Sequence, residues 1–215
     1  MSVEALDIAK PFFDLLLVSD ESNIELDRRS IVLNLDETRP LWIEGFQLPP
    51  LSSVIVEACR LSRVSQAVLV QGFDDHESDQ ALISDVTTAW PLAFDVRKEE
   101  RLRGVQHYMG PKVRRGQIAL GLYCSTSVPL NVGLHREHPW CEVPGFKEVH
   151  TQIVGYGKMQ QCRERDLSTL YLEEFMAPGV THKPMYDEVG NYPWHQFETV
   201  TPSIFMAVEI LPQGA

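Results

Sequence analysis

The rhythm of the second half of this chain limits its possible folds more than any other feature. From about residue 115 onward, short apolar-rich runs are cut at close intervals by proline and glycine: Pro129, Pro139, Pro144-Gly145, Gly155, Gly157, Pro178-Gly179, Pro184, Gly190, Pro193 and Pro202. Between these breaks lie four candidate strands. Gln117 to Cys124 and Lys147 to Val154 alternate apolar and polar residues, and Leu170 to Met176 and Ser203 to Leu211 add two more. Short runs separated by turn residues at this spacing predict a β-sandwich or β-barrel, and no segment has the βαβ rhythm of a parallel sheet.

The first half is less regular. Val3, Leu6, Ile8, Phe12, Leu15 and Leu16 roughly follow the helical period, so a short helix is predicted at the N-terminus, bounded near Pro11. Ser19 to Asn23 reads as a polar turn and Ile31 to Leu35 as a short apolar run. Ser53 to Ala58 and Ser65 to Gln71 read as a pair of strands about a turn at Cys59 to Arg63. Asp74 to Asp79 is an acidic loop, and Lys98 to Arg103 is a charge run expected on a solvated face. The division expected is a β-rich N-terminal region over residues 1–114, either an extension or a degenerate second barrel, and a barrel over 115–215.

The formal net charge of −11 disfavours phosphate backbones and anionic lipid, so neither nucleic acid nor membrane is an expected partner. The apolar run from Phe12 to Val18 lacks the flanks of a signal segment and is too short to span a bilayer. The four cysteines, Cys59, Cys124, Cys141 and Cys162, form no CxxC or zinc-ribbon spacing and read as reduced thiols. A cytoplasmic location is expected on these grounds.

Chemistry concentrates in the histidines. Five of the seven, His135, His138, His150, His182 and His195, fall within the strand-turn region, while His76 and His107 are taken as structural. Side chains alternate in a strand, so Glu148, His150 and Gln152 share one face of Lys147 to Val154, and Val149, Thr151 and Ile153 share the other. A polar row of this kind ordinarily faces water. The alternative is a barrel whose lumen is polar because it holds a ligand or metal. Tyr123, Gln152 and Tyr171 are further candidates to line such a lumen.

Three segments favour the lumen: Gly133-Leu134-His135-Arg136-Glu137-His138; Glu148 followed after six residues by Gly155; and Pro178-Gly179-Val180-Thr181-His182. Together they resemble the two sequence motifs of the cupin superfamily, and the stretch from Tyr192 to Glu209 resembles the end of a cupin barrel. The resemblance implies a mainly β protein, a cupin-type double-stranded β-helix (jelly-roll) barrel from about Gln117 to Leu211. The first motif departs from the family pattern: its histidines are three apart, so a regular strand would point them to opposite faces. The separation between His138 and Glu148 is also longer than the family's, which implies a longer loop around Pro144-Gly145.

The resemblance implies a ligand set drawn from His135 or His138, Glu148, His150 and His182 around one divalent transition metal per barrel. Iron(II) is favoured over zinc, manganese or nickel for such a mixed imidazole–carboxylate site. Glu148 doubles as the catalytic acid/base candidate, and His195 is a substrate-contact candidate. The function implied is a metal-dependent enzyme on a small organic substrate, first a mononuclear iron dioxygenase. A redox-silent isomerase, lyase or hydrolase is one alternative, and a non-enzymatic small-molecule binder is another. Exposed sheet edges lead us to expect a homodimer.

Overall fold

The computed structural model describes residues 2–129, 133–136, 143–186 and 190–212. His138 and Cys141 lie outside the described residues.

The protein is mainly β, as the sequence predicts. In the first half, strands β1 (Ser2–Leu6), β2 (Asp14–Leu26), β3 (Ser30–Asn34), β4 (Leu41–Ile43), β5 (Phe46–Leu48), β6 (Ser53–Val56) and β7 (Cys59–Gln71) form one antiparallel sheet. Its order is β1-β2-β7-β3-β6, with the β4–β5 hairpin attached through β4 to β7. The predicted N-terminal helix is replaced by the β1–β2 hairpin, and only the single 3-10 turn Asp7–Ala9 is helical there. The spacing of Leu6, Leu15 and Leu16 suits a helix face and a hairpin equally. Pairing of Leu6 with Leu15, and of β2 along the whole of β7, decides for strand. The same pairing absorbs both predicted turns, since β2 runs through Ser19 to Asn23 and β7 through Cys59 to Arg63.

Helix α1 (Asp79–Ala89), not anticipated from the sequence, starts where the Ser78 hydroxyl accepts from the Ala81 amide at 3.1 Å. It buries Leu82, Ile83 and Val86. The short helix α2 (Ala93–Arg97) and a 3-10 turn at Glu100–Leu102 then lead into the second half.

There, β8 (His107–Arg115), β9 (Ile118–Ser125), β10 (Lys147–Val154) and β14 (Ser203–Ile210) form a sheet of order β10-β14-β9-β8. Strands β11 (Gly157–Cys162), β12 (Leu170–Met176) and β13 (Trp194–Thr199) form a second sheet of order β12-β11-β13. All pairings in both are antiparallel. The two sheets face each other, with Phe197 of β13 and Phe205 of β14 meeting at a ring-centroid distance of 4.5 Å.

The larger core settles which way the polar row of β10 points. Val149 and Ile153 of β10, Leu120 and Leu122 of β9, and Met206 and Val208 of β14 belong to one buried cluster with Leu15, Leu17, Ile31, Leu33, Val68 and Val70 of the N-terminal sheet. The apolar face of the four-stranded sheet is therefore covered by the first half of the chain. Its other face, with Tyr123, Glu148, His150 and Phe205, turns toward the second sheet. The alternation of β10 reads as half-buried in sequence, yet the strand is buried on both sides: Glu148 is 4% exposed and Gln152 fully buried.

Candidate functional site

Between the two C-terminal sheets lies a cavity of about 50 Å³. Glu148 and His150 line it from β10, Tyr123 and Phe205 from the strands beside it, and Met159, His195 and Phe197 from the facing sheet. His107, His135, Arg97, Arg101 and Leu102 complete the wall.

Glu148 and His150 sit two apart on β10 and so emerge on the same face. A buried carboxylate is costly unless hydrogen-bonded, and the Tyr192 hydroxyl donates to Glu148 Oε2 at 2.7 Å. The other oxygen, Oε1, lies 3.4 Å from His150 Nε2, longer than a good hydrogen bond. His150 Nδ1 is buried with no hydrogen-bond partner.

Across the cavity, His135 and His195 exchange both backbone hydrogen bonds, His135 N–H to His195 O at 3.0 Å and His195 N–H to His135 O at 2.9 Å. That pairing brings their rings to a centroid distance of 4.4 Å. His135 Nδ1 lies 2.9 Å from the Gly133 carbonyl, and His195 Nδ1 lies 3.1 Å from the Pro193 carbonyl. A carbonyl only accepts, so each Nδ1 carries a proton, and in the neutral imidazole the lone pair is then on Nε2. A backbone acceptor on one ring nitrogen is the usual way proteins fix the tautomer of a metal-binding histidine.

His182, an expected ligand, is not among the residues lining the cavity. Its Nδ1 donates to the Lys183 carbonyl at 2.6 Å, and its Nε2 accepts from the His150 amide at 2.9 Å. With both nitrogens committed to backbone, His182 is a strut beneath His150. The strut is tied to the first half of the chain: Ser53 Oγ donates to the Gly179 carbonyl at 2.7 Å and lies 2.6 Å from Thr181 Oγ1, which in turn lies 2.6 Å from Thr151 Oγ1.

Three polar cavity residues carried no such expectation. His107 lines the wall, pairs with Ser125 Oγ at 2.8 Å and stacks on Tyr123 at 5.2 Å. Arg97 and Arg101 come from the segment joining the two halves, where the sequence suggests only solvated charge. Lys98 and Arg103 are indeed exposed, but the Arg101 side chain is 15% exposed. Arg97 ends α2 and Arg101 lies in the following 3-10 turn, with a left-handed Lys98 and an extended Glu99 between them, so no local spacing in the sequence signals their convergence. Of the other lumen candidates, Tyr123 lines the cavity, Gln152 donates to the Val154 carbonyl, and Tyr171 lies in an outer cleft with Trp194.

Burial pushes both His107 and His182 down to about 3, with Arg101 and Arg97 adding to the effect at His107. Burial likewise pushes Tyr123 up to about 12. Both histidines are therefore neutral in the fold, whereas in the unfolded chain each takes a proton near its ordinary value of 6.5. Between these limits the unfolded state binds more protons, so stability falls as the pH drops. The expected loss is on the order of 1 kcal/mol per pH unit for each histidine below about pH 6.5. Urea unfolding at about pH 7 and about pH 5 measures it, a range in which ordinary carboxylates barely titrate. Equal stability at the two values would contradict the assignment.

The donors around the cavity suit a borderline divalent metal by type: three imidazoles, two of them held at Nδ1 by backbone carbonyls, and a carboxylate. The 3.4 Å between Glu148 Oε1 and His150 Nε2 is also the spacing of two donors each about 2.1 Å from one tetrahedral ion. Among the described residues, however, no group of three or more His, Cys, Asp or Glu side chains is already arranged to hold an ion. The donors stand as two pairs facing each other. No helix among the described residues is long and apolar enough to cross a membrane.

No protein-family model matches the chain, and no curated protein matches it. Among solved structures, it is similar to a cupin 2 conserved barrel domain protein from Leptotrichia buccalis at 10% identity, covering 98% of this chain and 88% of that one, with a TM-score of 0.36. An oxalate oxidase in complex with the substrate analogue glycolate is similar at 12% identity over 54% of this chain and 56% of its own, with a TM-score of 0.38. A sugar phosphate isomerase from a cupin superfamily, from Silicibacter pomeroyi, is similar at 18% identity over 50% and 60%, with a TM-score of 0.33. The strand order and the pairing show the architecture: the C-terminal half is two antiparallel sheets facing each other across a cavity lined by histidines and one glutamate.

Proposed function

We propose that this protein is a metal-dependent enzyme acting on a small organic substrate in the cavity between its two C-terminal sheets. His135, Glu148, His150 and His195 are the residues that would hold the ion, and His182 supports His150 from behind. The observation that carries this reading is the Glu148–His150 pair, two buried donors 3.4 Å apart. Iron(II) is favoured over zinc, manganese or nickel for this donor set. When bound, such a metal supplies either Lewis-acid polarisation of a substrate oxygen or, as iron, dioxygen chemistry of the dioxygenase kind.

The chain's own residues supply the rest. Tyr192 holds Glu148 in one orientation through Oε2, leaving Oε1 on the His150 side. The carbonyls of Gly133 and Pro193 fix the rings of His135 and His195. Phe197, Phe205 and Met159 keep water out, which strengthens every charge interaction inside.

The test separates this ligand set from one built on the Pro-Gly histidine. On protein purified without a histidine tag, His195→Gln is expected to lose metal affinity by on the order of 100-fold or more, while His182→Gln, which removes only a support of His150, loses less, about 10- to 100-fold. Elemental analysis gives the content. Loss in His182→Gln with retention in His195→Gln would sink the assignment, and no metal in the wild type after reconstitution would sink the proposal.

A second reading has its own observation. The Glu148–His150 pair, with Tyr192 behind it, is also a proton-transfer pair that functions without a metal. Turnover surviving chelation and lost in Glu148→Gln would favour it.

A further inference from the structure

We infer that His107 is a substrate-binding residue, whose Nε2–H donates a hydrogen bond to an uncharged carbonyl oxygen of the molecule in the cavity. This rests on the reading of the cavity as the functional site and adds the class of molecule that enters it. His107 opens β8 and stands opposite Ser125 of β9, with Nδ1 2.8 Å from Ser125 Oγ. Ser125 is fully buried, and His107 Nδ1 is the one hydrogen-bond partner of its hydroxyl among the described residues. If Nδ1 donated, the buried hydroxyl hydrogen would be left without an acceptor, the costly arrangement. With the hydroxyl donating to Nδ1, both groups are satisfied. Burial keeps the ring neutral, so its single proton then sits on Nε2.

That N–H is available to the cavity. His107 lines it, and Nε2 has no hydrogen-bond partner among the described residues and is not sealed off. The ring stacks on Tyr123 at 5.2 Å with 2° between planes, and on Phe205 at 6.1 Å with 21°. The direction of the N–H is therefore set before anything binds. His135 and His195 have the opposite polarity, since their Nδ1 atoms donate to carbonyls. With Nδ1 accepting and Nε2 protonated, His107 has no lone pair to give a metal, which separates it from the proposed ligands.

The neighbours decide which kind of oxygen suits this donor. Glu148 does not take the His107 proton: its Oε2 accepts from Tyr192 and its Oε1 lies beside His150 Nε2. Its buried carboxylate lines the same cavity, so a carboxylate ligand would meet like charge. Arg97 and Arg101 do not offset this, because each lies 2.5 Å from an oxygen of Glu99 and Arg101 has a further interaction besides. An alcohol would bring a hydroxyl hydrogen that needs an acceptor of its own, whereas a carbonyl oxygen needs only a donor. About 50 Å³ of cavity accommodates roughly three to five water-sized groups, at about 10–15 Å³ each, enough for a carbonyl with short substituents.

The experiment uses metal-free protein with isotopically labelled histidine. A long-range proton–nitrogen NMR spectrum of wild type reads the tautomer of His107, with His107→Phe, which keeps a stacked ring, giving the assignment. The proton is expected on Nε2, and Ser125→Ala is expected to lose that preference. Acetone, as a small carbonyl probe, is then titrated at constant ionic strength beside acetate. Acetone is expected to shift the His107 Nε2 resonance, and its affinity to fall roughly tenfold in His107→Phe, the worth of one hydrogen bond. His107→Gln, whose amide supplies an N–H, recovers part of the loss. A proton on Nδ1, an unshifted Nε2, equal acetone affinity in wild type and His107→Phe, or tighter binding of acetate would overturn the inference. Metal content measured on the same proteins keeps the two claims apart. His107→Phe is expected to retain the metal, and loss there would make His107 a ligand and overturn the inference. A wild type that takes up no metal but shows the acetone shift removes the metal centre and leaves the role of His107 standing.

Discussion

Glu148→Gln is expected to remain folded and to lose metal affinity by on the order of 100-fold or more. The substitution keeps the shape of the side chain, and the amide oxygen still accepts from the Tyr192 hydroxyl that lies 2.7 Å from Oε2. It removes the only negative charge among the proposed ligands. Loss of a neighbour that merely orients a ligand typically costs 10- to 100-fold in affinity, so loss of a charged ligand belongs at or beyond the upper end. Elemental analysis beside a urea unfolding curve reads both quantities. Full metal content in this variant would rule out Glu148 as a ligand. Glu148→Ala is the poorer probe, because it strands the buried Tyr192 hydroxyl at a cost of about 1–3 kcal/mol and confuses site with stability.

The largest effect on stability is expected at Gly155, in the turn between β10 and β11. Its φ is +71°, and a Cβ built there falls 2.1 Å from the Pro202 carbonyl oxygen and 2.8 Å from Thr201 Oγ1. Backbone cannot give way as a flexible side chain does. Gly155→Ala therefore combines a left-handed conformation with a main-chain collision, and the expected loss exceeds about 3 kcal/mol. Gly116 is the control, with φ +58° and nothing within 4 Å. There alanine meets only the conformational penalty, about 1–2 kcal/mol. If both variants unfold at the same urea concentration, the close approach at Gly155 is not what makes the position demanding.

The sequence is most legible where local pattern and tertiary role agree. β10 and β12 begin and end where the alternation places them, and β9 and β14 agree to within a residue. β11 escapes although β12, the next strand, is one of its two partners. Its Gln160 and Gln161 look like surface residues, yet both are buried: Gln160 bonds to Glu173 and Gln196, and Gln161 to Tyr171. The site is legible to the same degree. Glu148 and His150 follow from the two-residue period alone. The pairing of His135 with His195 depends on a contact sixty residues apart in the chain, and no local pattern announces it. His182 keeps its place after the Pro-Gly turn but spends both nitrogens on backbone, which only three-dimensional hydrogen-bond geometry reveals. The two cavity arginines sit within a run of charge, and the turn of the chain alone separates them from their solvated neighbours.

The shared core between the N-terminal sheet and the four-stranded sheet bears on how a chain like this can change over generations. Val149 and His150 are adjacent, one fixed against the first half of the protein and the other facing the cavity. A substitution that resizes Leu33 or Val68 alters the bed on which β10 lies, and so the aim of the residues on its far side. Swapping the second half for that of a relative would exchange half a core along with it. New specificities are therefore expected to arise by drift in both halves together.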